Sequence, residues 1–201
     1  TLSIAAGGTG NVVINDDNSL KLADGTVAKN LTITAAGDLT QETTSGFVVT
    51  GTTSLDVTAG TDSDITLLGG TNDFVGAVTI LATDADSVVS ISDANDLLIS
   101  SLGDLNVGAI TATTGTLSIT SSTGSINDAT DDNVVDLTAG GLITLTAEDE
   151  IGDHATFTDK ELELAAGSSV DATSSTVGAI RLDGLGALTL TDVDTGNGII
   201  T

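Results

Sequence analysis

The feature that most constrains this chain is a unit of two short alternating segments joined by a glycine corner. It is clearest over residues 135–153, VDLTAGGLITLTAEDEIGD. Val135, Leu137 and Ala139 alternate with Asp136 and Thr138; after Gly140 and Gly141, Ile143, Leu145 and Ala147 alternate with Thr144 and Thr146. Side chains on a strand point to opposite faces in turn, so each half has one thin apolar face and one polar face. The glycine pair can bend the backbone where residues with a Cβ would resist. Two such strands cannot bury their apolar face alone, and they need copies of themselves stacked above and below.

Copies run along the whole chain. LTITAAGDLT (31–40), LDVTAG (55–60), LSIT (117–120) and LELAAG (162–167) repeat the theme. With Leu31, Leu55, Val78, Leu97, Leu117, Leu137, Leu162 and Ile180 as equivalent positions, the spacing is about 18–25 residues, within the range of solenoids. The drift in spacing falls in the corners. Residues 148–163 are the least regular and read as a longer corner or small excursion. No stretch has helical periodicity. The expected fold is all-β, a parallel β-helix solenoid occupying residues 1–201 as a single segment. About nine turns at about 4.8 Å each would give a rod on the order of 40 Å long. The chain starts at Thr1 inside one apparent unit and stops at Thr201 after another, so the expectation is a segment of a longer repetitive protein.

The kind of apolar residue supports a narrow interior. Hydrophobic residues make up 39%, yet there are three Phe and no Tyr, Trp or Met. A broad core uses large side chains to fill its volume, whereas Leu, Ile, Val and Ala suffice in thin layers. Pro is absent. It lacks the N–H that a strand paired on both sides must donate. A tandem pair of β-sandwiches would also give short alternating strands, but it would normally bring a large aromatic into its core.

Charge limits the partners. Four Lys and Arg stand against 29 Asp and Glu, for a net charge of −25. That excludes electrostatic binding to nucleic acid, which needs clustered cations. The same charge repels an anionic membrane surface and attracts cations. No run of about 18 apolar residues is present to span a membrane as a helix. With no Cys, disulfides are impossible.

LTITAAGDLT (31–40), LDVTAG (55–60), VDLTAGGLITLTAEDEIG (135–152) and LELAAGSSVDAT (162–173) resemble the degenerate repeats of filamentous-haemagglutinin-type adhesins, large bacterial surface proteins. The resemblance covers most of the chain. It implies a right-handed β-helical shaft, an extracellular or cell-surface location, and a role in attachment or spacing. The expected partners are neighbouring repeats of the same protein, and copies of the chain stacked head to tail on ends that read as uncapped; the alternative is a surface module that binds calcium or a host or surface glycan along its outer face.

The sequence offers few chemical groups beyond that. Asp62 and Asp64, Asp84 and Asp86, and Asp192 and Asp194 each follow a Thr-bearing strand. Stacked in register, such pairs would line one edge and share calcium, which prefers several oxygen ligands; Asp in corners for turn geometry alone is the competing reading. Gly7-Gly8-Thr9-Gly10-Asn11 and Gly69-Gly70-Thr71-Asn72-Asp73-Phe74 look like fragments of a calcium-binding nonapeptide repeat, but neither has a tandem copy. No cofactor is required by this reading. The chain is not expected to be an enzyme. Its basic residues Lys21, Lys29, Lys160 and Arg181 are scattered, and Arg181 alternates outward between Ile180 and Leu182. The single His154 has no recognisable nucleophile partner. The Thr-x-Thr runs, such as Thr144 and Thr146, follow from alternation on any Leu/Thr strand. Phe47, Phe74 and Phe157 read as core plugs.

Overall fold

A computed structural model describes residues 1–82, 87–129, 132–152, 161–176 and 178–201. Every regular element described is a β-strand, and every strand pair is parallel. The strands stack as a β-solenoid of about nine turns, in two sheets. The two-residue period therefore gives the architecture expected of it.

The nine-stranded sheet is regular. Its strands are Val12–Asp16, Leu31–Ala35, Thr53–Asp56, Val78–Leu81, Leu97–Ser101, Leu117–Ser121, Leu142–Ala147, Ser169–Ser174 and Thr189–Thr195, in chain order across the sheet. Inward residues form columns along the axis: Leu31 pairs with Thr53, Thr53 with Val78, Val78 with Ile99, Ile99 with Ile119, and Ile119 with Leu145. All of these are buried. Each aliphatic member contributes roughly 1.5–3 kcal/mol by leaving water. Outward positions carry Thr and Ser, which suit a half-exposed pleat.

The repeat register differs from the one read off the sequence. Leu31 lies against Thr53 rather than Leu55, and Val78 against Ile99 rather than Leu97. Leu137 and Leu162 belong to the other sheet, and Ile180 makes isolated bridges to Ile151 and Ile200. A slip of two residues leaves every side chain on its original face, so the pattern alone does not fix it.

The twelve-stranded sheet is broken into shorter pieces. Two strands of eight residues, Leu20–Val27 and Leu105–Ala112, each pair with two short strands of the next turn. Leu20–Val27 pairs with Leu39–Gln41 and Phe47–Val49, and Leu105–Ala112 with Ile126–Asp128 and Leu137–Ala139. Phe47 and Phe74 are core plugs, as expected, and are fully buried. Gly25 is needed beneath the first of them, because a Cβ there would lie 2.1 Å from the Phe47 ring. Phe157 lies outside the described residues, as do His154 and Lys160.

Candidate functional site

Most of the acid at the corners has a structural task. Several strands begin after an Asp, Asn or Ser whose side chain accepts a backbone N–H from the next turn, and Asp24, inside the strand Leu20–Val27, does the same. The Asp38 N–H donates to Ser19 Oγ (3.1 Å), the Asp64 N–H to Asp38 Oδ1 (3.2 Å), and the Val88 N–H to Asp64 Oδ1 (2.9 Å), making one continuous ladder. The same staple joins Gly46 to Asp24, Thr52 to Asn30, Thr116 to Asp96, Ser125 to Asp104 and Glu150 to Ser125. The partners are 19–26 residues apart, one turn of chain. Such bonds to a carboxylate are charge-assisted and stronger than neutral ones.

The acids singled out from the sequence sit apart. Asp62 is exposed in a corner, with a left-handed φ of 52°. Asp64 is half-buried in the ladder above. Asp192 and Asp194 are exposed on the outer face of the nine-stranded sheet, in register with Asp171 and Thr173. The first pair lies in the corner before the strand Ile65–Leu67 and the second within the strand Thr189–Thr195 of the other sheet, so the two do not stack on each other. Asp84 and Asp86 lie outside the described residues. Arg181, read as outward, is half-buried, with Nη1 enclosed by protein.

A different group of carboxyls comes together. Asp128 ends the strand Ile126–Asp128, Asp136 directly precedes Leu137–Ala139, and Glu163 is central in Leu162–Leu164. They are 0%, 4% and 1% exposed. One oxygen from each lies within 4.8 Å of the others. Asp136 and Glu163 are tied reciprocally: the Asp136 N–H donates to the Glu163 carbonyl at 2.9 Å, and the Glu163 N–H donates to Asp136 Oδ2 at 3.0 Å. The Asp136 carbonyl also accepts the Ile110 N–H at 2.7 Å.

Alternation puts Asp136 and Glu163 on the polar face, and the structure corrects this. Asp136 is buried while Val135 is half-exposed, because the regular strand begins only at Leu137. All three residues of Leu162–Leu164 are buried, so both faces of that strand are covered. Nothing in the local pattern signals a covered outer face.

Burial sets the electrostatics of the cluster. It pushes the Asp136 carboxyl up to about 9. The Glu163 N–H works against that, while the hydrogen bond with the Glu163 side chain and the charges of Glu163 and Asp128 add to it. Like charges this close in a dry corner disfavour joint ionisation. Asp136 therefore keeps its proton at neutral pH. The cluster can share protons or offer its carboxyl oxygens to a divalent cation. Asp93 is a lesser case: burial raises its carboxyl, against N–H groups of Phe74 and Asn95 donating at 2.6 and 2.7 Å.

Buried amides line the same sheet. Gln41 Nε2 donates to Asn72 Oδ1 at 2.7 Å, and Asn72 Nδ2 returns a bond to Gln41 Oε1 at 2.9 Å. Each also accepts a backbone N–H, Gln41 from Gly69 and Asn72 from Phe47. Asn127 Nδ2 donates to Asn106 Oδ1, and Asn106 Nδ2 to the Ser87 carbonyl. These ladders are satisfied polar contacts inside the stack.

Residues 9–81 match the model of a family described as repeats of unknown function (DUF5649). The match runs from the first turn to the end of the strand Val78–Leu81 and covers just over a third of the chain. It agrees with the stacked turns in marking a repeat protein. No curated protein and no solved structure matches the chain.

Proposed function

We propose that this β-solenoid is a shaft segment of a secreted or cell-surface bacterial adhesin, acting as a rigid spacer rather than a catalyst. The observation that carries the reading is the continuity of the stack. Nine strands pair in parallel along one side, aliphatic columns run through successive turns, and corner side chains bond many of the turns to the next. Repeat architectures of this kind gain their stability from nearest-neighbour interfaces, so their natural product is length. The inward residues Leu2, Ile4, Val12 and Ile14 of the first turn, and Leu182, Leu188 and Val193 of the last, are only partly buried. Neighbouring repeats, or a second copy of the chain, would cover them.

No helix of the described residues is long and apolar enough to cross a membrane. Exposure to the outside is tested directly by adding protease or a specific antibody to intact cells that make the protein. Protection equal to that of an internal protein would defeat the surface reading. Small-angle scattering and electron microscopy of the purified chain test the spacer: single rods on the order of 40 Å support it. Rods that lengthen with concentration add self-stacking, and rods of fixed length at high concentration remove it.

A further inference from the structure

We draw no further inference here: the strongest candidate, the buried carboxyl cluster of Asp128, Asp136 and Glu163 where two turns of the twelve-stranded sheet meet, is an acidic cluster beside which nothing in the structure shows a ligand.

Discussion

The two sheets of this solenoid solve the same stacking problem in different ways. The nine-stranded sheet has one strand per turn, with mostly aliphatic residues inward, joined by Thr53, Ser101, Ser121 and Ser174, and mostly hydroxyls outward. Its outer column Thr32, Ser54, Thr79, Ser100, Thr120, Thr146 and Thr173 stays in register over seven successive turns. The twelve-stranded sheet is cut into pieces as short as the two residues Asp73–Phe74. Buried within it or beside it are Gln41, Asn72, Asp93, Asn106, Asn127, Asp128, Asp136 and Glu163. Beyond its strand pairing, one side is held mainly by non-directional burial, which supplies energy but by itself tolerates a two-residue slip. The other side adds buried amides, Gln41 with Asn72 and Asn127 with Asn106, whose bonds form only when specific turns face each other and so favour one register.

Substitutions can test that division. Ile119→Ala empties a fully buried position in the aliphatic column of the regular sheet, and it is expected to cost about 2–5 kcal/mol. Denaturant unfolding followed by far-UV circular dichroism would show it, since the chain has no Trp or Tyr to report by fluorescence. A loss well under 1 kcal/mol would mean that this side is not the main source of stability. Asn72→Leu strikes the other sheet. It strands the Gln41 amide and the Phe47 N–H, at a cost of roughly 2–3 kcal/mol. Amide exchange should rise most over residues 41–49 and 67–74, where the broken bonds lie; a uniform rise along the chain would argue against a local register lock.

Acidity separates the sheets too. The folded Asp136 holds a proton up to about pH 9, whereas the unfolded carboxyl, with an ordinary value of 3.8, has lost it. Its contribution to stability is complete below the unfolded value and is lost as pH rises toward 9. The slope from one such group is at most about 1.4 kcal/mol per pH unit. Asp136→Asn should flatten that decline, and a wild-type stability that instead rises steadily from pH 5 to 9 would contradict the buried protonated acid.

The smallest effect returns to the regular sheet. Thr53 occupies an aliphatic column between Leu31 and Val78, and its buried Oγ1 has no hydrogen-bond partner among the described residues. Thr53→Val keeps the shape and removes the desolvated hydroxyl, so a gain of about 1 kcal/mol is expected in the same unfolding measurement. Destabilisation instead would place a hidden partner at that oxygen.

Legibility followed the same division. The regular sheet could be read because its alternation is uninterrupted: Leu117, Ile119, Ile143 and Leu145 are all buried, as their spacing requires. Its register could not, because Leu31 can face Thr53 or Leu55 without turning any side chain over. The carboxyl cluster was illegible for another reason. Asp136 and Glu163 sit at positions that alternation assigns to solvent, and only long-range packing covers them. The corner acids lay between these cases. Asp64 was visible as a turn residue, but its bonds to the preceding and following turns depend on neighbours about 24 residues away.

The side-chain staples between turns also give the molecule a grain. At Ser19, Asp24, Asn30, Asp38, Asp64, Asp96, Asp104 and Ser125 the earlier turn presents the acceptor and the later one brings the N–H. A coil duplicated or deleted whole between two such staples still meets its neighbours with complementary chemistry, whereas one inverted end over end would set acceptor against acceptor. Evolution can therefore change the reach of a protein built this way by copying coils, with no redesign of the joints.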